Sequence, residues 1–367
     1  MTTNFGHLAD YPRVPLSILP TVIEAAPRLS AELGLNLFIK RDDMTGLAFG
    51  GNKTRQLEFY FGAAQAMHAD TILITGAVQS NYVRVAAAAA ARMGWEIHIQ
   101  SEERVPGMGE IYYQSGNVLL GDLLGAQRHS YPDGEDEAGA DAAIKAIADD
   151  LRAQGKRPYV IPLGPGNPPL GALGYVLAAA EIVAQLQASA SKMDAIVIAS
   201  GSGFTHAGLL FGLRALGQNV DVYGICVRRN EAPQRQRIAG HCRDLAAMLE
   251  MKEVVSDQDI KLFDGVLAPG YGQMNPATAD AIVLFCGPEE HRHDIAVFKV
   301  VGEAVVNFFR RRNDVFQKFF QQGVVEIGEA FQQFDAGFFF PVLNGAGNFD
   351  QFRWLAGGPL KGPLADQ

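Results

Sequence analysis

Short β-rich segments alternate with helical segments from about residue 70 onward, and this alternation restricts the fold more than any other feature of the chain. The strand-like segments TILIT (71–75) and DAIVIAS (194–200) are each followed by a helical segment, YVRVAAAAAARMG (82–94) and THAGLLFGLRALG (205–217). Such repetition is typical of a mostly parallel sheet covered by helices on both faces. We therefore predict an α/β fold that binds ligands with the loops at the carboxyl ends of its strands.

Composition and charge disfavour several classes of protein. The 367 residues are 48% hydrophobic and 19% charged, as in ordinary soluble globular proteins, and the net charge of −9 disfavours a nucleic-acid or anionic-membrane partner. No apolar run reaches the roughly 18 residues that a membrane span needs. The amino-terminal residues do not resemble a secretory signal. The cysteines, Cys226, Cys242 and Cys286, have no CxxC spacing, so we expect no disulfide framework, no metal site and a reducing cytoplasm.

The stretch GLAFGGNKTRQLEF places Lys53 directly after two glycines and an asparagine. Apolar residues recur at helical spacing from Thr54 onward, and Asn52 is a candidate helix cap. The predicted apolar face consists of Leu57, Phe61 and Ala64. At a helix start, both the helix dipole and burial favour a neutral lysine amine, which is the form that Schiff-base chemistry needs. The alternative is an exposed lysine beside a glycine turn.

The stretch ASGSGFTHAGL follows an apolar strand and opens a helix. Gly201 and Gly203 let the backbone approach a ligand closely, and amides ahead of a helix bind anions. Ser202 and Thr205 add hydroxyl donors, so the stretch has the outline of a phosphate-binding turn. It is not a P-loop, because no GK[ST] follows, and His206 occupies the last glycine position of a dinucleotide fingerprint. The alternative is a strand-to-helix turn without a ligand.

Two further loops carry polar residues. GAVQSNYVR places Ser80 and Asn81 at the start of an alanine-rich helix, where a ligand carboxylate can dock or where one of them simply caps the helix. APGYGQ places Tyr271 between glycines, either to aim its phenol into a cleft or within a plain turn. An amine at Lys53, an anion-binding turn and a carboxylate site together suit pyridoxal phosphate acting on an amino acid.

The chain resembles the family of D-cysteine desulfhydrases and 1-aminocyclopropane-1-carboxylate deaminases, which are fold-type II (tryptophan synthase β-like) pyridoxal phosphate enzymes. The resemblance runs from about residue 10 to about residue 285 and is carried by segments 38–59, 75–94, 157–176, 199–209 and 268–273. It implies two lobes, each an open, mostly parallel sheet flanked by helices, with the cofactor in the cleft between them. The larger lobe would comprise 1–53 and 161–285, and the smaller inserted lobe 54–160. The family usually forms homodimers.

The resemblance also implies roles for individual residues. Lys53 matches the lysine that carries the cofactor, and Ser80 matches a serine with a catalytic role. Asn81 matches the asparagine beside the cofactor ring, and Ser80 with Asn81 would bind the substrate carboxylate. Tyr271 matches an active-site tyrosine. The residues that match the phosphate-binding turn are Gly201, Ser202, Gly203 and Thr205.

Three features depart from the family pattern. Tyr82 stands where desulfhydrases usually have histidine. Phe204 stands where the phosphate turn usually has glycine, so its Cβ is expected to hinder the approach of the backbone to a phosphate. The family's Asp-Pro-Val-Tyr-(Thr/Ser)-Gly-Lys and His-Thr-Gly-Gly motifs do not occur after residue 280, and no Ser, Thr or Tyr occurs from residue 279 on. In desulfhydrases a hydroxyl group from that region faces the pyridine nitrogen.

The segment 286–367 forms an atypical tail in the sequence. It holds most of the 22 phenylalanines, which cluster with glutamine, and the strand–helix alternation fades there. A separate segment, a divergent terminus or a stretch read in the wrong frame would each produce this change, and our hypothesis is a frameshift. Elsewhere, the acidic stretch YPDGEDEAGADA (131–142) is predicted to be an exposed surface connection without a function.

The resemblance implies a β-elimination that converts D-cysteine to pyruvate, sulfide and ammonia. The THAG sequence at 205–208 is typical of the desulfhydrase branch. The alternatives are a 1-aminocyclopropane-1-carboxylate deaminase and a cysteate sulfo-lyase. Because the carboxyl-terminal motifs are missing, an inactive cofactor-binding homologue is a further alternative. A nicotinamide-linked oxidoreductase would leave the setting of Lys53 unexplained.

Overall fold

The computed structural model describes residues 5–164, 166–278, 281 and 323–326, and the statements that follow concern this part of the chain. Its strands are β1 (Ile23–Ala25), β2 (Leu37–Lys40), β3 (Thr71–Ala77), β4 (Glu96–Glu102), β5 (Gln127–Tyr131), β6 (Pro158–Ile161), β7 (Ala195–Ser200), β8 (Asp221–Cys226), β9 (Ile260–Phe263) and β10 (Gly323–Glu326). Its α-helices are α1 (Pro27–Leu33), α2 (Asn52–Ala66), α3 (Asn81–Met93), α4 (Gly116–Leu123), α5 (Glu137–Ala153), α6 (Leu173–Ala188), α7 (Phe204–Ala215) and α8 (Glu231–Met248).

The strands form two sheets. The larger sheet has six strands in the order β1-β2-β10-β7-β8-β9, in which only β1 and β2 are antiparallel neighbours. The smaller sheet has four parallel strands in the order β5-β4-β3-β6. At the middle of the smaller sheet, Leu73 of β3 pairs with His98 of β4 and Val160 of β6. Two mostly parallel sheets flanked by helices confirm the predicted fold class.

The tail predicted at 286–367 lies outside the described residues, except for β10. This strand lies between β2 and β7, with Val324 opposite Phe38 and Val325 opposite Val197. Because all three strands run parallel, β10 ends at the same edge of the sheet as β7. The larger sheet is therefore continuous from β2 to β7 only through a strand of the tail.

The alanine run of the sequence forms the buried part of α3. Ala86, Ala87, Ala89 and Ala90 are fully buried. Their small side chains let α3 lie close to β3 on one side and to α2 on the other, and both contacts are present. The packing of α3 thereby joins the smaller sheet to the helix that carries Lys53.

Helix α2 begins earlier than the sequence predicts. It starts at Asn52 rather than Thr54, Gly51 occupies the N-cap position with φ of 113°, and no side chain caps the helix. The prediction that Asn52 is a cap is therefore wrong, because its side chain bonds instead to Thr205 on α7. The predicted apolar face is buried, but so is nearly every other side of this helix. Lys53 thus lies on a core helix, and the alternative of an exposed lysine is excluded.

The acidic stretch 131–142 is not the exposed connection that its composition predicts. Helix α5 begins inside it at Glu137, with Asp136 as N-cap accepting a hydrogen bond of 2.9 Å from the Gly139 amide. The Glu137 side chain is largely buried against arginines of α8 and of the loop before it. The loop prediction is wrong from Glu137 onward, because an acidic side chain with buried cationic partners need not face solvent.

One described segment, Leu170–Ala188, is long and apolar enough to cross a membrane by length and composition. Half of that window is buried inside the protein (50%), mainly where α6 packs along α7. A core helix of a soluble protein passes the same test, so this segment gives only weak support for a membrane span.

Candidate active site

A cleft opens at the carboxyl ends of strands from both sheets. Ser80 follows β3, Arg104 follows β4 and Gly201 follows β7, and all three line the cleft. This is the edge at which open α/β sheets bind ligands. The cleft is therefore the candidate active site.

Lys53 enters the cleft from the first turn of α2 and is 3% exposed. Its Nζ atom lies 5.7 Å from the centroid of the Tyr82 ring, on α3. The first turn of α2 is held in place by two side chains: Asn52 Nδ2 and Gln56 Nε2 donate to the Thr205 hydroxyl at 2.9 and 2.8 Å. The position of the amine is therefore fixed relative to the start of α7.

The predicted phosphate-binding turn (residues 201–205) connects β7 to α7. Gly203 is the N-cap of α7 and has a φ of 95°, a left-handed conformation that favours glycine. A Cβ on Gly203 would lie 2.9 Å from Ile238 Cδ1, the end of a side chain that can shift, so the backbone conformation is the main reason for glycine here. The twelve-residue helix α7 directs its amino-terminal amides toward this turn. The turn has the form of an anion site.

Phe204 is the first residue of α7 and is buried. Its ring lies 4.8 Å from the ring of His241, and Phe204 is not among the residues that line the cleft. The side chain therefore turns away from the ligand side of the turn. The Phe204 side chain packs in the core and therefore does not block the approach of a phosphate to the turn, contrary to the expectation from the sequence.

Ser80 is the N-cap of α3, and its Oγ accepts a hydrogen bond of 3.1 Å from the Tyr82 amide. The capping alternative is therefore confirmed for Ser80, which also lines the cleft. Asn81 begins α3, and its Oδ1 accepts bonds from Arg84 Nη1 at 2.5 Å and Asn117 Nδ2 at 3.0 Å. These bonds fix the orientation of the Asn81 amide beside the cleft.

Tyr271 lines the cleft and is 8% exposed. The glycines on either side have φ values of 148° at Gly270 and 70° at Gly272, which few other residues adopt. A Cβ on Gly272 would lie 2.5 Å from Val105, so the turn packs tightly against the loop after β4. The glycines therefore aim the phenol into the cleft, and the plain-turn alternative is insufficient.

The cleft brings together most of the residues that the sequence predicts. Those that line it are Lys53, Ser80, Gly201, Ser202 and Tyr271. The other three are not among the lining residues but lie at the helix starts beside the cleft: Asn81 at the start of α3, and Gly203 and Thr205 at the start of α7. Gly76 also lines the cleft, and a Cβ there would lie 3.2 Å from the Ser80 side chain.

A group of charged residues in the cleft was not predicted. Glu137 pairs with Arg228 Nη1 at 3.2 Å, with Arg237 Nη1 at 3.2 Å and with Arg229. Burial raises the pKa of Glu137, but the three arginines outweigh burial and bring the pKa below its usual value. Burial and the neighbouring arginines lower the pKa of Arg229 to about 10. Positive charge therefore exceeds negative charge in this part of the cleft.

Two of the arginines that line the cleft could have been identified from their positions directly after strands. Arg104 follows β4 by two residues, and Arg228 follows β8 by two residues. The carboxyl ends of neighbouring parallel strands meet at one edge, so polar residues directly after predicted strands are candidates for a shared site. Glu137 gives no such signal, because its partner Arg237 is 100 residues away.

The residues present fit pyridoxal phosphate. A buried lysine and an anion-binding turn at a helix start occur in one cleft. Lys53 would hold the cofactor covalently, and residues 201–205 would hold its phosphate. The described residues contain no group of three or more His, Cys, Asp and Glu that could hold a metal ion.

Comparison with known proteins supports the same cofactor. D-cysteine desulfhydrases from Salmonella choleraesuis (strain SC-B67) and Salmonella typhi are 42% and 41% identical over 283 residues, which is 77% of this chain and 84% of each relative. A solved structure described as an ACC deaminase homologue superposes with a TM-score of 0.75 and 32% identity, over 90% of this chain and 95% of its own.

A fungal L-serine ammonia-lyase from Rhizomucor miehei shares the fold, with a TM-score of 0.55 and 18% identity over 86% of this chain and 94% of its own. Residues 14–295 match the family described as pyridoxal-phosphate dependent enzyme. The predicted resemblance and cofactor are thereby confirmed: the chain belongs to the pyridoxal-phosphate dependent enzyme family.

Proposed function

We propose that the protein catalyses a β-elimination on a small amino acid, most specifically the conversion of D-cysteine and water to pyruvate, hydrogen sulfide and ammonia. The observation that carries the proposal is the presence of Lys53, Ser80 and the 201–202 backbone in one buried cleft. Relatives more than 40% identical to this chain are D-cysteine desulfhydrases. A lyase of this kind needs an amine that can hold a carbonyl cofactor, an anion site for its phosphate and a site for the substrate carboxylate.

Pyridoxal phosphate, when bound, supplies the electron sink for the carbanion formed at the substrate Cα. Lys53 would hold the cofactor and would then remove the Cα proton, a step in which the Ser80 hydroxyl is an alternative base. Ser80 and Asn81, at the start of α3, would orient the substrate carboxylate toward the helix dipole. Tyr271 closes the cleft from the loop after β9 and would donate a proton to the departing group.

Four residues of the turn 201–205 have a proposed role in holding the phosphate: Gly201, Ser202, Gly203 and Thr205. The amides of Gly201, Ser202 and Gly203 would donate to its oxygens, and the left-handed φ of Gly203 makes this approach possible. The Thr205 oxygen already accepts from Asn52 and Gln56, so toward a third partner this hydroxyl can act only as a donor.

The test is release of pyruvate from purified protein supplied with pyridoxal phosphate. We expect D-cysteine to give pyruvate and sulfide in equal amounts. A second candidate function is 1-aminocyclopropane-1-carboxylate deaminase, because the solved structure at 32% identity is an ACC deaminase homologue. Release of 2-oxobutanoate from that substrate, without pyruvate from D-cysteine, would replace the first assignment with the second. Cofactor binding without turnover of any amino acid would instead support an inactive homologue.

We also propose the lobe division 1–53 with 161–285 and 54–160, a cytoplasmic location and a homodimer. All four strands of the smaller sheet fall between Thr71 and Ile161, which supports the division. Cys226 and Cys242 are free, and burial raises the pKa of each thiol to about 12, which suits a reducing compartment. Light scattering on the purified protein tests the dimer.

A further inference from the structure

We propose that Arg104 and Arg228 form a second anion subsite in the cleft, which binds an acidic group on the side chain of the amino-acid substrate. This inference rests on the proposed function, since it concerns the substrate of the same site. It adds to the proposed substrate class, beside D-cysteine, small amino acids whose β-substituent carries a negative charge, as a sulfonate or a carboxylate does.

Arg104 is held rigidly at the end of β4. Its Nε and Nη2 atoms both donate to Glu102 Oε2, at 2.9 and 2.7 Å, and Thr75 donates to Glu102 Oε1 at 2.5 Å. The Arg104 side chain is 8% exposed and lines the cleft. Burial lowers the pKa of Arg104, but Glu102 and the Tyr271 phenol outweigh burial and bring the pKa above its usual value. Arg104 and Tyr271 both line the cleft.

Arg228 has an unsatisfied donor. Its side chain is 8% exposed, Nη2 donates to the Gly134 carbonyl at 2.9 Å, and Nη1 pairs with Glu137. Its Nε atom is buried and has no hydrogen-bond partner among the described residues. An unpaired buried donor of a charged group is unfavourable, and this one belongs to a residue that lines the cleft. An anion in the cleft would satisfy it.

The other arginines of the cluster contact the phosphate-binding turn instead. Arg237 Nε donates to the Ser202 carbonyl at 3.0 Å, and Arg229 Nη1 donates to the Gly201 carbonyl at 3.4 Å. In the described part of the chain, neither Arg104 nor Arg228 forms a hydrogen bond with this turn. The cluster therefore divides into a pair that supports the turn and a pair that faces the rest of the cleft.

Charge balance supports an anionic occupant at the second pair. Glu102 pairs with Arg104, whereas Arg228, Arg229 and Arg237 share Glu137, and the exposed Glu135 adds only a longer contact of 3.8 Å to Arg228. The planar guanidinium fork of arginine matches the paired oxygens of a carboxylate or sulfonate. A neutral thiol offers no comparable partner. Cysteine would thus use the cleft without this contact, whereas an acidic side chain would gain it.

The test measures binding rather than turnover. Propanoate, succinate and 3-sulfopropanoate lack the amine and cannot react, so calorimetric titration of the holoenzyme with each gives a dissociation constant. We expect succinate or 3-sulfopropanoate to bind about tenfold more tightly than propanoate, a gain typical of one charge-assisted contact. Tighter binding of succinate would indicate a carboxylate on the substrate side chain, and tighter binding of 3-sulfopropanoate would indicate a sulfonate. Equal affinities for all three ligands would overturn the proposal.

Variants assign the effect to the pair. Arg104→Gln and Arg228→Gln should each abolish most of the preference for the acidic ligands over propanoate and leave the affinity for propanoate unchanged. Arg228→Lys should retain part of that preference. The matched control is Arg214→Gln, because Arg214 is also 8% exposed and paired with a carboxylate, Asp259, but lies outside the cleft. The preference should survive in this control. If the Gln variants fail to fold, the wild-type titration and Arg228→Lys still decide.

The same samples separate this inference from the proposed function. Pyruvate release from D-cysteine with no preference for acidic ligands would refute the subsite and leave the function standing. A preference for acidic ligands without pyruvate from any amino acid would support the subsite and contradict the function. Weaker pyridoxal phosphate binding in Arg104→Gln and Arg228→Gln, with the preference unchanged, would assign the pair to the cofactor phosphate and overturn the proposal.

Discussion

The Nδ2 atom of Asn52 donates a hydrogen bond of 2.9 Å to the Oγ1 atom of Thr205, although the two residues are 153 positions apart. Asn52 precedes the proposed cofactor lysine, and Thr205 lies in the first turn of α7, at the proposed phosphate site. Gln56 adds a second bond to the same hydroxyl at 2.8 Å. The two ends of the proposed cofactor site are thus joined directly by side chains.

We expect Thr205→Val to weaken cofactor binding. Valine has nearly the same shape but accepts neither the Asn52 nor the Gln56 bond, so two buried amides lose a partner. The dissociation constant for pyridoxal phosphate should rise at least about tenfold, which corresponds to about 1.4 kcal/mol. Absorbance titration of the apoenzyme measures it. Thr205→Ser restores the hydroxyl and is the control; a constant unchanged in Thr205→Val would show that the link does not support the cofactor.

Borohydride reduction should attach the cofactor permanently to Lys53. Reduction converts the C=N bond between lysine and cofactor to a stable amine, and peptide mapping then locates the added mass. Lys40 is an internal control, because it is also buried but donates to Thr21, Glu181 and Gln185 in a closed network. Label on Lys40, or label retained in Lys53→Ala, would contradict the assignment of Lys53.

The sequence predicts the loops of the site better than the partners of their side chains. Lys53, Ser80, Tyr271 and the turn 201–205 were found because each lies in a glycine-rich or polar loop beside a predicted helix or strand. Such local signals depend on residues a few positions apart, and the alternation of strands and helices places them at one edge. The fold class follows from the same alternation.

Contacts between distant segments could not be predicted. Asn52 has the composition of a helix cap, but a bond to Thr205 on another helix takes its side chain. Glu137 lies in a stretch so acidic that solvent exposure is the natural expectation, yet arginines after β8 and on α8 bury it. Neither partner is recognisable without the tertiary structure, because nothing local to either residue specifies it.

Substitutions at Ser80 can separate its capping role from its proposed chemical role. Asparagine caps helices about as well as serine, so Ser80→Asn should unfold near the wild-type temperature but lose most pyruvate release, since it lacks the hydroxyl. Ser80→Ala should lose both the cap, worth about 1 kcal/mol, and activity. Thermal unfolding and pyruvate assays on each variant measure the two effects. Full activity in Ser80→Asn would reduce Ser80 to a structural cap.

The ion pair between Asp42 and Arg55 should dominate the stability of the site. Asp42 is fully buried and accepts from Arg55 Nε at 2.9 Å, Arg55 Nη2 at 2.8 Å, Thr21 Oγ1 at 2.7 Å and Tyr175 Oη at 2.6 Å. Asp42→Asn would leave Arg55 buried with less compensation, so we expect a loss of about 3–5 kcal/mol in the free energy of unfolding.

The neighbouring Asp43→Asn is the matched control for this prediction. Asp43 pairs with Arg41 at 2.9 Å, but both side chains are 14% exposed. More accessible pairs contribute little, so this variant should lose no more than about 1 kcal/mol. Urea denaturation of both variants measures the free energy of unfolding. Equal losses in the two variants would show that burial of the Asp42 pair is not what stabilises this region.

Acid should destabilise the protein through Glu181. Burial raises the pKa of this carboxyl, but Arg55 and Lys40 outweigh burial and leave the pKa below its usual value of 4.5. A carboxyl with a lower pKa in the folded state binds its proton more readily when unfolded, so its stabilisation is complete above pH 4.5 and is lost as the pH falls through the folded pKa. Urea denaturation between about pH 3 and pH 7 measures how the free energy of unfolding changes with pH.

Two variants test whether Glu181 causes this pH dependence. Glu181→Gln should make the free energy of unfolding depend less on pH below pH 4.5, whereas Glu32→Gln at an exposed position of α1 should not. An identical slope in wild type and Glu181→Gln would show that this carboxyl does not couple folding to protonation.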